Sequence, residues 1–167
     1  MTSTTARNEA FVIRPALDDD DVAEVRRLVL THAAARATTP GVEYMRADAA
    51  ALPGPYVPPQ GGLWVAVHDG VGIGCVALRP QGPDAAEVKR MFVDGAWRGR
   101  GVGRALMETV VQGARERGYA TLRLGTLADM TAAQGLYASL GFRPIQRYRL
   151  DELVDTLFYE LELGAAR

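Results

Sequence analysis

The chain has 167 residues and is 48% hydrophobic, which is enough for one domain with a buried core. Its net charge of −1 excludes the strong overall basic charge that favours nucleic acid or an anionic membrane surface. The single cysteine, Cys75, excludes an intrachain disulfide, and no run approaches the roughly 20 apolar residues of a membrane span. These features predict a cytoplasmic protein with no nucleic-acid or membrane partner.

The first half of the chain predicts a strand, a helix, a long loop and a hairpin. Residues 1–10 are polar and are predicted to be a disordered tail before a domain over residues 11–163. The predicted elements are a strand over 11–15, a helix from the acidic residues 18–21 to about Arg36, and strands over 63–67 and 71–78 around Asp69-Gly70. Five prolines and four glycines in residues 38–62 exclude a long regular element there, apart from a short helix over 44–52.

The second half predicts alternating strands and helices. The elements are a strand over 87–93, a helix from Val102 to Gly118, a strand over 119–125, a helix over 131–140, and strands over 142–149 and 156–163. The complete order is β, α, loop, ββ, β, α, β, α, ββ. It predicts a single α/β domain with a mixed, mostly antiparallel central sheet flanked by helices.

The glycine-rich segment Arg98-Gly99-Arg100-Gly101-Val102-Gly103 lies between a predicted strand and a predicted helix. Its three glycines allow close backbone approach to a ligand, and a helix N-terminus offers unpaired N–H groups and a positive dipole end. Both features favour a phosphate or pyrophosphate. Neither Walker nor dinucleotide-binding glycine spacing is present. Nearby basic residues favour a polyanionic ligand or form a solvated basic face.

Two motifs are similar to those of a known family. The spacing Arg98-x-x-Gly101-x-Gly103 resembles the pyrophosphate-binding signature of the GNAT superfamily of acyl-CoA N-acyltransferases. Leu136-Tyr137-x-x-x-Gly141-Phe142 resembles the second hallmark of that family, and the resemblance covers residues 11–163. It implies the GNAT fold, acetyl-CoA as cosubstrate, and a small-molecule or peptide amine as acceptor; a homodimer is compatible with it. Met130 stands where many members carry asparagine.

The resemblance also implies catalytic roles for two side chains. Tyr137 would donate a proton to the departing CoA thiolate, and the alternative is a core tyrosine on an amphipathic helix. Glu87 would accept the proton of the amine, directly or through water, and the alternative is a surface carboxylate at a strand end. Strand alternation places Glu87 on the face of Lys89 and Met91 unless a bulge intervenes.

The remaining expectations concern binding. By resemblance, the cofactor would contact the backbone of Met91, Phe92 and Val93 and the loop residues Arg98, Gly99, Arg100, Gly101, Val102, Gly103 and Arg104. Tyr56 and Tyr148 would wall the acceptor site or hold the long loop against the core. His32 and His68 are poor catalytic candidates, and no metal-ligand spacing is present. A preference for a longer acyl group and a non-catalytic CoA-sensing module remain alternatives.

Overall fold

The computed structural model describes residues 10–149 and 155–164; all of the predicted tail except Ala10 lies outside them. In chain order the elements are β1 (Val12–Pro15), α1 (Asp19–Ala35), α2 (Val42–Ala51), β2 (Gly62–His68), β3 (Val71–Pro80), β4 (Ala85–Val93), a 3₁₀ turn (Gly95–Trp97), α3 (Val102–Glu116), β5 (Thr121–Leu127), α4 (Thr131–Ser139), β6 (Arg143–Ile145) and β7 (Thr156–Glu162). Among the described residues, no helix is long and apolar enough to cross a membrane.

The strands form one sheet in the order β1-β2-β3-β4-β5-β7-β6. Only the β4–β5 pair is parallel, and all the other neighbours are antiparallel. The predicted fold class, a mixed and mostly antiparallel sheet flanked by helices, is therefore confirmed. One cluster of buried side chains packs α3 and α4 against one face of the sheet, and a second cluster packs α1 and α2 against the other.

Local sequence signals account for most element ends. Asp18 caps α1, because its carboxylate accepts a hydrogen bond from the backbone N–H of Asp21 at 2.8 Å. Asp69 and Gly70 both have positive φ, at 47° and 77°, which matches the twist of a tight β2–β3 turn. Gly118 has φ 81° directly after the end of α3.

The predicted strand over residues 142–149 is too long. Only Arg143–Ile145 pair with β7, and residues 146–149 leave the sheet edge. The reason lies in the side chains at the end of this segment. Tyr148 and Arg149 both contact Glu87 of β4, at 2.9 Å in each case, which draws the chain away from the edge.

A β-bulge divides β4 into two halves. The register with β3 passes from Ala77↔Lys89 to Cys75↔Phe92, so two residues of β4, Arg90 and Met91, lie opposite one residue of β3. Arg90 has a positive φ of 53°. Met91 consequently packs against the cluster under α3, as Val88 does, while Phe92 belongs to the cluster under α1. The bulge therefore separates Met91 from the face that simple alternation predicts for it.

Cys75 is a packing residue of the core. It is fully buried, and its thiol donates to the backbone carbonyl of Arg90 at 3.2 Å. Burial raises the pKa of this thiol to about 12, which keeps it protonated and unreactive at neutral pH.

Candidate active site

The central feature of the sheet is a gap between β4 and β5. These strands pair only through Ala85–Glu87 and Thr121–Arg123, although β4 continues to Val93 and β5 to Leu127. Beyond Glu87 the two strands separate. A cavity of about 380 Å³ opens there, lined by β4, β5, α1, α2 and Tyr137 of α4, so it connects the two faces of the sheet. Backbone groups on this side of β4 have no strand partner in the described chain and can bind a ligand.

The glycine loop leads into α3 with its backbone exposed. Gly99 and Gly101 adopt φ values of 74° and 84°, which L side chains rarely adopt, and Gly101 is the N-cap residue of α3 without a side-chain cap. The first-turn N–H groups, from Val102 onward, therefore have no intrahelical acceptor and are available to an anion.

Gly103 connects this loop to the wall of the cavity. A Cβ atom built on Gly103 would lie 3.4 Å from Met91 Cε and 3.7 Å from Val93 Cγ2, at ordinary contact distance. A longer side chain would enter the space between α3 and β4. The bare glycine surface lies beside the open edge of β4, and the contacts of a pyrophosphate with the loop and of a pantetheine arm with Met91, Phe92 and Val93 stay predictions.

The arginines of the loop are held by neighbouring groups. Arg98 donates to the carbonyl of Val93 at 3.1 Å, and Arg104 donates to the hydroxyl of Ser139 at 2.6 Å. Arg100 lies over the ring of Trp97 at 5.1 Å. These contacts surround the N-terminus of α3 with positive charge, which adds to the attraction for an anion.

Tyr137 belongs to the core and also lines the cavity, and its role as a proton donor stays a prediction. Its ring packs at a tilt against Phe142 and Tyr159, with centroid distances of 6.0 and 6.4 Å. Burial raises the pKa of its hydroxyl to about 12. At neutral pH this hydroxyl therefore keeps its proton and can donate it.

Glu87 is fully buried, so the expectation of a surface carboxylate is wrong. Its oxygens are surrounded by side-chain groups from β3, β4 and the segment after β6. Oε1 contacts Arg79 (3.2 Å), Lys89 (3.3 Å) and Arg149 (2.9 Å), and Oε2 accepts from Gln81 (3.2 Å) and Tyr148 (2.9 Å). Glu87 lies behind the cavity wall, whereas its three cationic partners form part of the lining. Its contacts favour a positioning role.

The two predicted acceptor-site tyrosines lie outside the cavity lining. Tyr56 is 2% exposed, and its hydroxyl donates to Asp48 at 2.7 Å. Burial and this hydrogen bond raise the pKa of Tyr56. Tyr148 donates to Glu87, and its ring packs edge-on against Phe158 at 4.7 Å. Tyr56 thus holds the long loop against the core, and Tyr148 supports the cluster around Glu87.

Sequence reasoning missed several residues of the cavity. His32 lines it and stacks on Phe92, with ring centroids 4.8 Å apart. Burial, followed by Arg36, Arg90 and Arg98, lowers its pKa to about 4, so it is neutral at physiological pH. The sequence analysis also did not identify Arg79. The antiparallel pairing of β3 with β4 places Arg79 opposite Glu87, and this pairing was the signal available. Within the described ranges, no group of three or more His, Cys, Asp or Glu is placed to hold a metal ion.

Comparison with known proteins agrees with this geometry. The sequence model of the Acetyltransferase (GNAT) domain matches residues 59–144. N-acetylaspartate synthetase of Rattus norvegicus is 45% identical over 87 residues, which are 52% of this chain but only 29% of the relative. An uncharacterised N-acetyltransferase of Schizosaccharomyces pombe is 34% identical over 111 residues, covering 65% of this chain and 68% of the relative.

Solved structures share the same fold. A GNAT acetyltransferase of Staphylococcus aureus superposes with a TM-score of 0.79 at 23% identity, over 93% of this chain and 100% of the other. An acetyltransferase of Salmonella typhimurium, solved with acetyl-CoA, superposes with a TM-score of 0.66 at 22% identity, over 93% of this chain and 95% of the other. The chain belongs to the GNAT acetyltransferase family, whose cosubstrate is acetyl-CoA.

Proposed function

We propose that the protein transfers the acetyl group of acetyl-CoA to a primary amine by direct attack within a ternary complex. The observation that carries this proposal is the cavity itself. It joins the open edge of β4, where Met91 lies beside Gly103, to Tyr137 and to the basic side chains near α1 and α2. Two substrates that enter from opposite faces of the sheet would therefore meet between the separated strands, which makes the reaction effectively unimolecular.

The step balances with Tyr137 and water. The neutral amine nitrogen attacks the thioester carbon, so a C–N bond forms, the C–S bond breaks, and the nitrogen releases one proton to water. Tyr137 donates the proton that converts the departing thiolate into the CoA thiol, and the resulting phenolate regains a proton from water. The loop over 98–104 holds the pyrophosphate, and the backbone of β4 orients the pantetheine arm.

The amine must reach the cavity without its extra proton. In water an alkyl ammonium has a pKa near 10, so it is mostly charged at neutral pH. The cations that line the cavity disfavour the ammonium form and so favour proton loss to water. A role for Glu87 as the base stays a prediction, and its pH–rate test is given in the Discussion.

Membership of the family does not identify the amine acceptor. One set of relatives carries the name N-acetylaspartate synthetase, and a structural neighbour from Escherichia coli is a ribosomal-protein-S18-alanine N-acetyltransferase. An amino acid and a protein N-terminus are thus both classes to test. We expect the reaction to take place in the cytoplasm, as the composition of the chain predicts.

The experiment is a free-thiol assay with acetyl-CoA and a panel of amines, combined with calorimetry of acetyl-CoA binding. Amine-dependent thiol release supports the transferase. Acetyl-CoA binding without release from any member of the panel would favour the alternative, a CoA-sensing module. Longer acyl-CoA donors in the same assay test the acyl preference.

A further inference from the structure

One end of the cavity presents positive side chains and, among the residues that the structure describes, no acidic one. The cationic lining residues are Arg36, Arg79, Lys89, Arg90 and Arg149. Within residues 10–149 and 155–164, the carboxylates that pair with them are Asp48, Glu87 and Asp129, and these lie outside the lining. Each ion pair therefore turns its positive member toward the cavity, which makes the potential there positive even where the pairs are neutral overall.

Two of these guanidinium groups lie next to each other. Arg79 and Arg149 contact the same oxygen of Glu87, at 3.2 and 2.9 Å. A guanidinium has five N–H donors, and Arg79 uses one amino group on Glu87 while 36% of its side chain remains exposed. Further donors are thus available to a ligand. Their planar, forked arrangement matches the two oxygens of a carboxylate.

A buried hydroxyl in the same cavity also lacks a partner. Thr156 of β7 lines the cavity and is 8% exposed, and its Oγ1 makes no hydrogen bond within residues 10–149 and 155–164. A buried polar group without a partner is unfavourable, so a polar ligand atom at this position would be stabilised. The chamber is therefore suited to a ligand with polar atoms as well as negative charge.

The charge of the lining conflicts with an acceptor that is only an amine. Such a molecule arrives mostly as an ammonium cation and is repelled by the five cationic side chains. A carboxylate on the same molecule is attracted by the same cationic side chains, and this attraction offsets the repulsion of the ammonium group. Diamines and lysine-rich peptides would add positive charge and are disfavoured.

Resting on the proposed acetyl transfer, we infer that the acceptor is a small amine that carries a carboxylate, of the amino-acid class. Arg79 binds the carboxylate beside Arg149, and the amine is directed through the gap toward Tyr137. The cavity of about 380 Å³ accommodates such a molecule together with the acetyl end of the cosubstrate. Glu87 is then a positioning residue, because it holds the two arginines side by side.

The test compares acceptors that differ only in the carboxylate. Thiol release is measured with glycine and glycinamide, with L-aspartate and L-aspartic diamide, and with putrescine as a dicationic amine. We expect the kcat/KM of each carboxylate to exceed that of its amide by about tenfold or more. In Arg79→Gln, the KM for the carboxylates should rise by about tenfold to a hundredfold, with a smaller change in kcat and none in the KM for acetyl-CoA.

Two further variants separate charge from folding. Arg79→Lys keeps the positive charge and should recover part of the lost affinity for the carboxylate acceptors. Arg46→Gln removes an arginine that pairs with Glu43 on the exposed surface of α2, outside the cavity, and should behave as the wild type.

The outcomes distinguish this inference from the function on which it rests. Faster acetylation of the amides or of putrescine would overturn the inference and leave the transferase intact. If no acceptor releases thiol, the proposed transferase activity fails. Calorimetry with CoA-saturated protein then compares the affinities for N-acetylglycine and N-acetylglycinamide, and this comparison tests the carboxylate site. Tighter binding of the carboxylate, lost in Arg79→Gln, supports the site, whereas equal binding overturns it.

Discussion

The cofactor end and the acceptor end of the proposed site are built in different ways. The proposed cofactor end comes from one continuous segment, residues 91–104, of which Met91 lines the cavity, and it offers mainly backbone groups: the open edge of β4 and the N-terminus of α3. The acceptor end is assembled from side chains of α1, β3, β4 and the segment after β6. A backbone site needs a particular local conformation, which a short motif can encode. A side-chain site needs distant residues to meet, which leaves a family free to vary the acceptor while it keeps the cosubstrate.

The strongest test of the cofactor end is Gly103→Glu. The new Cβ fits beside Met91 and Val93, so the fold should persist, but the carboxylate would lie where the pyrophosphate is expected. Two unit charges about 4 Å apart at an effective ε of 20 repel by about 4 kcal/mol, which corresponds to roughly a thousandfold in Kd. Calorimetry with acetyl-CoA should therefore detect no binding.

Gly135→Glu is the matched control, because it makes the same change in α4 at a glycine whose Cβ would meet nothing within 4 Å. It should bind acetyl-CoA as the wild type does. Wild-type affinity in a folded Gly103→Glu protein would contradict the assignment of the loop.

The junction between the two ends is tested by Tyr137→Phe. The substitution removes one hydroxyl and keeps the ring packed against Phe142 and Tyr159. If the hydroxyl protonates the thiolate, kcat should fall by roughly ten- to ten-thousand-fold, while the Kd for acetyl-CoA stays nearly unchanged. Stopped-flow thiol release and calorimetry measure the two quantities separately.

Tyr119→Phe serves as its control. It also removes a hydroxyl from a buried tyrosine, in this case one that donates to the carbonyl of Gln60 at 2.9 Å, away from the cavity lining. Its turnover should match the wild type. Equal turnover of Tyr137→Phe and Tyr119→Phe would leave Tyr137 with a packing role only.

The features that the sequence predicts are those encoded by a short local segment, and the features it misses are assembled from distant residues. The glycine loop, the Asp69-Gly70 turn and the helix stop at Gly118 are local signals, and the structure places each of these turns and helix boundaries as predicted. The bulge at Arg90 is set by pairing with β3, and the burial of Glu87 is set by three cations from separate segments. Such features depend on tertiary neighbours that periodicity and spacing do not reveal.

The acceptor end is tested by Glu87→Gln. Removing this charge leaves the amino groups of Arg79, Lys89 and Arg149 without their shared carboxylate in a buried setting. Loss of one partner from a buried ion pair costs about 3–5 kcal/mol, so the free energy of unfolding in urea should fall by an amount in this range. Glu160→Gln, in the half-buried pair with Arg123, should lose about 1 kcal/mol or less.

The same variant separates positioning from proton transfer. If Glu87 positions the arginines, the KM for the acceptor rises and the acidic limb of the pH profile of kcat/KM stays in place. A variant that lacks this limb and retains the wild-type KM for the acceptor would restore Glu87 as the general base.

The smallest effect concerns His32, which lies at the acceptor end against Phe92. Its pKa is lowered from 6.5 to about 4 in the folded protein, so between these values the unfolded chain binds a proton that the folded chain does not. Stability from this group is therefore fully present above pH 6.5 and is lost as the pH falls toward 4, by about 2 kcal/mol at pH 5. His32→Phe keeps an aromatic ring on Phe92 and removes the titration. Thermal unfolding at pH 7.5 and pH 5 should show a smaller acid-induced loss of stability for His32→Phe than for the wild type. Equal losses in the two proteins would mean that burial and the neighbouring cations do not lower the pKa of His32 in the folded state.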